Sequence, residues 1–280
     1  MNTKKLSLLG LSVALLASTI ATTSATAQQG ILDGVDLSAS CKIGFSQGTM
    51  NHPWRVAMVE GNQRWAEENL PNVELIVTDG QNDSGKQVAD VESLMAQGID
   101  VLMISPLTAQ ALTPIVQDVM DAGIPVVALD RKVNTDVTVY ITAQNEPIAA
   151  LAGQFFADEL GEKGNIVQIE GTAGASAADE RKRGFEQVIT TYPEMKIIAT
   201  QNADFLRENA TKFMEDTLQR FGPGEIQGVY AHNDEMALGA IAAIEAAGRQ
   251  DEIMVTGLDG QNNAIQAIKD GRLFATFTFP

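Results

Sequence analysis

The chain predicts an α/β protein of two Rossmann-like lobes, each a parallel sheet flanked by helices, joined at a hinge. Three observations lead there. Short apolar runs alternate with helix-period segments along the chain. Runs such as VLMI and PVVAL are continuously apolar, the pattern of strands buried on both faces of a parallel sheet. The alternation also starts afresh past position 144, so two similar halves follow one another.

In the first half, strands are expected at 42–47, 73–78, 101–105 and 125–129, separated by helices at 54–69, 85–97 and 109–122. Gly98 and Gly123 stand just past the second and third helices, and Pro125 then opens a strand, as stop signals do. An extended segment at 137–142 leads into the crossing near 140–145. The second half reads as helix 146–160, ended by Gly161, then strand 165–170, helix 177–190, strand 196–201 and helix 207–220. After a Gly222-Pro223-Gly224 loop come strand 228–230, helix 235–247, strand 253–257 and helix 262–270. The lobes are placed at 41–143 and 144–279. The last segment, 273–280, reads as a strand with no helix behind it, so a C-terminal truncation is expected.

Residues 1–27 begin with Lys4 and Lys5, run through an apolar stretch at 6–20 and end at Ala25-Thr26-Ala27. This is the pattern of an export signal cleaved after Ala27. Its loss takes the formal net charge from −17 to −19. So acidic a body repels phosphate backbones and anionic lipid surfaces, which argues against nucleic-acid partners and membrane insertion. Cys41 is the only cysteine, so no intrachain disulfide forms; it is expected to be at least partly buried where the first strand opens, and Ser38-Ala39-Ser40 before it makes a poor lipidation signal.

The chemistry gathers at the carboxyl ends of strands. There SQGTMNHPWR carries Gln47, Asn51, Trp54 and Arg55 into the first helix. Trp54 offers a flat face to the C–H bonds of a sugar ring, whereas Trp65, further along the helix, is assigned to core packing. Asp130-Arg131 ends an apolar strand; a carboxylate beside a guanidinium can hold two adjacent hydroxyls with charge-assisted bonds. Arg181, Asn233 and Asp259 follow later strands in the same way, while Lys182 and Arg183 are assigned to solvent. Such strand ends line the ligand crevice of open α/β sheets.

Other patterns exclude rival chemistries. GTAGASAADERKRGF at 171–185 lacks the Gly-Lys-Ser/Thr ending of a phosphate loop. Asp79, Gln81 and Asp83 start like a calcium loop, but Ser84 replaces the turn glycine and Asp90 the bidentate Glu. His52 and His232 are the only histidines, without cysteine partners at ligand spacing, so no metal or cofactor is expected. GFSQG at 44–48 matches a nucleophile elbow by letters, but Pro53 and several polar residues separate Ser46 from the helix an elbow needs at once.

Taken together, DGQND at 79–83, LDR at 129–131, GTAGASAADERKRGF, ADF at 203–205, HNDEMALGA at 232–240 and GLDG at 257–260 resemble the periplasmic sugar-binding proteins of ABC transporters, the ribose-binding-like branch of the type I periplasmic-binding-protein fold. GFSQ at 44–47, Trp54-Arg55 and YAHNDEM make the chain look most similar to galactofuranose-binding members. The resemblance implies sugar contacts from Asp130, Arg131, Arg181, Phe205, Asn233 and Asp259, with Trp54 and Arg55 from the first loop. Ribose binders carry two phenylalanines in that loop, from which Trp54-Arg55 departs. It also implies further first-lobe and hinge segments after position 280. The implied function is that of a monomeric, non-enzymatic periplasmic receptor that closes on a monosaccharide and hands it to a membrane permease, the alternative being a chemoreceptor-coupled sugar or autoinducer sensor of the same fold. An acidic, exported chain of this kind is not a DNA-binding regulator.

Overall fold

The computed structural model describes residues 39–279. The expected export signal and its cleavage point lie outside the described residues. The first half runs β1 (Cys41–Gln47), α1 (Pro53–Asn69), β2 (Val73–Asp79), α2 (Ser84–Ala96), β3 (Val101–Ser105), α3 (Ala109–Asp121), β4 (Val126–Leu129) and β5 (Val139–Ile141). The second runs α4 (Asn145–Leu160), β6 (Lys163–Glu170), α5 (Ser176–Ile189), β7 (Glu194–Asn202), α6 (Arg207–Arg220), β8 (Gly228–Ala231), α7 (Asp234–Ala246), β9 (Met254–Leu258), α8 (Asn262–Lys269) and β10 (Ala275–Phe277).

Both sheets are parallel and share one strand order. The first is β2-β1-β3-β4-β5 and the second β7-β6-β8-β9-β10, each reversing direction beside its opening strand. That reversal leaves a crevice beyond the strands' carboxyl ends, where a ligand can enter without disturbing the core. Alternate strand residues serve opposite faces, which explains the continuous apolar runs. Ile166 packs with Phe156, Phe185 and Tyr230 on one side of the second sheet, and Val167 and Ile169 pack with Met214 and Val229 on the other. In the first sheet Leu102 and Ile104 face α2 and α3, while Phe45 and Leu129 face Val59 of α1.

Local chemistry sets the boundaries. The Asp83 carboxylate accepts the Gly85 and Lys86 amides at 2.7 and 3.0 Å and so caps α2; the 79–83 segment is a strand-end loop. Gly161, at φ 63°, ends α4 in the left-handed conformation. Gly184 has another purpose. A Cβ there would lie 2.1 Å from the Glu146 carbonyl oxygen, so only glycine lets α5 cross α4 this closely.

Two sequence expectations need correction. Trp65 is half-buried and outside the core, because α1 buries only Arg55 and Val59 and leaves the rest of its length half-buried or exposed. Lys182 is not merely solvated, since its Nζ lies 2.8 Å from the nearly buried Glu170 carboxylate at the end of β6. Arg183 is exposed as expected and pairs with Glu146 at 3.2 Å. Of the 273–280 segment, β10 forms the strand and pairs with β9 at the sheet edge.

Candidate functional site

Between the two sheets' carboxyl ends lies a narrow cleft, lined by His52, Trp54, Arg55, Asp130 and Arg131 from the first half and Ala177, Arg181, Phe205, Asn233 and Asp259 from the second.

Asp130 follows β4 with φ 62° and organises the first wall. Arg55 Nη2 donates to its Oδ2 at 2.5 Å, Arg131 Nε lies 3.9 Å from the same oxygen, and Arg55 Nη1 donates to Ser105 Oγ at 2.6 Å. Burial alone would raise the Asp130 pKa, but the guanidiniums of Arg55, Arg131 and Arg181 outweigh it and hold the carboxyl below its usual value. Arg131 is anchored by donating to the Leu107 carbonyl at 2.9 Å.

On the second wall, Arg181 of α5 donates through Nε to Asn145 Oδ1 at 2.9 Å and through Nη1 to the His232 carbonyl, with Asp259 Oδ1 at 3.9 Å. Phe205 sits between guanidiniums of both halves, 5.3 Å from Arg131 Cζ and 5.6 Å from Arg181 Cζ. It reaches that place because Gly171 lacks a Cβ, which would meet the ring at 2.0 Å. Asn233 caps α7 by accepting the Met236 amide at 2.9 Å and donates to the Phe205 carbonyl at 3.2 Å. Asp259 is pushed up to about 7 by burial, against the pull of Arg181.

Two lining residues were not singled out from the sequence, Ala177 and His52. Pro53 at the first position of α1 holds His52 in an extended conformation, at φ −146° and ψ 155°, which sets its ring against the cavity near Phe205. Burial first, then Arg55 and Arg131, lowers its pKa to about 3, so it is a neutral imidazole with one donor and one acceptor. Among the described residues, neither His52 ring nitrogen, nor Arg55 Nε, nor Arg131 Nε has a hydrogen-bond partner, though all four are buried.

Not every expected residue enters. Trp54 lines the cavity, half-buried under Arg55 at 4.9 Å from its ring. Gln47 is buried at the end of β1, its Oε1 accepting the Gly48 amide at 3.1 Å, and it does not line the cavity. Asn51 is exposed and borders a separate groove with Arg207 and Glu235. Ser46 is fully buried and its hydroxyl accepts from Gln87 Nε2 at 3.2 Å, an ordinary strand end. Among the described residues no cluster of His, Cys, Asp and Glu side chains is placed to hold a metal ion, and no helix is long and apolar enough to cross a membrane.

Residues 43–279 match the periplasmic binding protein domain family. The chain is 39% identical to the ribose import binding protein RbsB of Bacillus subtilis, over 84% of this chain and 74% of that protein. To the galactofuranose-binding protein YtfQ of Escherichia coli it is 35% identical, over 90% of this chain and 81% of that one. Among solved structures it is similar to the fructose-binding periplasmic domain of a hybrid two-component system. The TM-score is 0.81 at 36% identity, covering 86% of this chain and 80% of that one.

Proposed function

Because the chain belongs to the periplasmic binding protein family, a family of receptors rather than enzymes, we propose that its cavity captures one monosaccharide and that the two halves act as lobes that close around it. The observation that carries this reading is the ring of buried, unpartnered donors on His52, Arg55 and Arg131 beside the carboxylates of Asp130 and Asp259. Sugar hydroxyls donate and accept at once, so they satisfy both sets, which a purely apolar or purely anionic ligand does not. Phe205 and Trp54 supply faces for the ring's C–H bonds.

Closure is supported by bonds between the halves. The Ala109 amide donates to the Gly174 carbonyl at 3.0 Å, the Lys132 amide to Ser176 Oγ at 3.1 Å, and Lys132 Nζ lies 3.3 Å from Glu180. We assign the ligand to the galactofuranose-like sugars and related hexoses and pentoses, on the Trp54-Arg55 pair, and the closed receptor to delivery at an ABC transporter permease. A chemoreceptor or sensor partner is the second reading, favoured by the similarity to the fructose-binding periplasmic domain of a hybrid two-component system. Loss of growth on the sugar when the permease is deleted supports delivery; unimpaired growth supports sensing.

A thermal-shift screen over pentoses and hexoses in both ring forms tests the core of this reading. A cognate sugar at about 100 times its dissociation constant stabilises the fold by ~2.7 kcal/mol, several degrees in Tm, and EDTA changes nothing. If only amino acids or nucleotides raise Tm, the sugar assignment is wrong.

Asp259 makes the affinity pH-dependent. Hydroxyls donate best to an ionised carboxylate, and Asp259 ionises only near pH 7. Affinity is therefore expected to rise between about pH 6 and about 8, with proton release on binding. Calorimetric titration in buffers of different ionisation enthalpy reads that release, and Asp259→Asn should abolish it; proton uptake would contradict the assignment. Stability without sugar runs the other way. The folded pKa lies above the unfolded value of about 4, so stability present below about pH 4 is lost as pH rises through about 7.

A further inference from the structure

We infer that Asp234 is a positioning residue for Asp259, aiming the cavity carboxylate by gripping the turn behind it; its effect on ligand rests on the sugar-binding reading above. Asp234 opens α7 but is not its cap, a role Asn233 fills by accepting the Met236 amide. It is fully buried, and its hydrogen-bond partners are neutral: the Thr276 hydroxyl donates to Oδ1 at 2.6 Å and the Gln261 amide to Oδ2 at 2.8 Å. Thr276 Oγ1 in turn accepts the Gly260 amide at 3.1 Å. The two residues following Asp259 are thus held from α7 and β10 together, and Gln261 Nε2 donates back to Asp259 Oδ2 at 3.3 Å.

The grip answers a strained backbone. Asp259 has φ 120°, a region that side-chain-bearing residues rarely adopt and that persists only where its surroundings fix it. Room for the grip is also built in. A Cβ on Gly257 would lie 2.4 Å from Asp234 Oδ1, so the first glycine of GLDG lets the carboxylate tuck against β9. A buried carboxylate facing neutral donors is unfavourable for the fold on its own account, and holding Asp259 gives it a purpose.

The groups facing the pair are Arg181 from α5, Asp130 from the end of β4, and Thr276, Gly260 and Gln261. Burial, chiefly, pushes Asp234 up to about 6, and its charge adds to the rise at Asp259. Removing that charge moves the pH midpoint of binding downward.

The test uses Asp234→Asn in the whole chain, with melting as a check on folding. Hydrogen exchange at the Gly260 and Gln261 amides should quicken without any sugar present. Affinity for the sugar found by thermal shift should fall about tenfold, with its pH midpoint lowered, and this loss should vanish in an Asp259→Asn background. Thr276→Val should quicken exchange at Gly260 and weaken binding, and Thr276→Ser should restore both. Unchanged amide exchange, or losses that simply multiply in the double variant, would overturn the inference. If the unaltered protein binds no monosaccharide, the functional reading fails, while the exchange measurements still decide whether Asp234 holds the turn.

Discussion

Asp130→Ala is expected to weaken sugar capture sharply and to lower the melting temperature of the same protein. The carboxylate holds Arg55 at 2.5 Å and stands 3.9 Å from Arg131, so its removal leaves two buried guanidiniums facing each other. Breaking a buried pair in this way costs about 3–5 kcal/mol, or ~10 °C in Tm at roughly 2–4 °C per kcal/mol. Affinity should fall at least about 30-fold, the equivalent of ~2 kcal/mol, because the sugar also loses an acceptor. Calorimetry for binding and scanning calorimetry for melting separate the two effects. A variant that melts far lower yet binds normally would mean that Asp130 is a structural ion-pair partner only.

Gly184→Ala should be the most damaging single methyl group in the helical layer. The added Cβ would meet the Glu146 carbonyl oxygen at 2.1 Å, and backbone cannot rotate aside as a side chain can. Overpacking of this kind costs about 1–3 kcal/mol or more. Because Arg181 lies one turn earlier on α5, the displacement should also weaken sugar binding. Gly61 is the control: it lies inside α1 and a Cβ there meets nothing within 4 Å. Gly61→Ala should therefore stabilise by about 0.5–1 kcal/mol. Equal melting of the two variants would show that α4 and α5 can part without penalty.

The βα alternation was legible because strands buried on both faces must be apolar throughout and because glycines such as Gly98, Gly123 and Gly161 punctuate helix ends. Strand-end residues were legible for the same reason: Asp130, Arg131, Asn233 and Asp259 follow runs whose direction is fixed by the sheet. The loop after β1 was not. No periodicity governs 48–52, so nothing in the letters says that His52 turns inward while Asn51 faces solvent. Gln47 sits on a legible strand, but its side chain is spent on the Gly48 amide. Trp65 was misplaced because a tryptophan on a helix suggests burial, whereas α1 is a mostly polar helix with one narrow buried edge. The role of Asp234 lies in partners 27 and 42 positions away, a separation no local pattern encodes.

The shared strand order of the two sheets has an evolutionary corollary. Every lining residue comes from a loop or a helix at the strands' carboxyl ends, and none lies within a strand. Selection can therefore retune one wall for a new ring size or hydroxyl pattern while the opposite wall keeps its grip, and neither sheet has to be repacked along the way. A receptor assembled from two like halves can diversify by changing one half at a time.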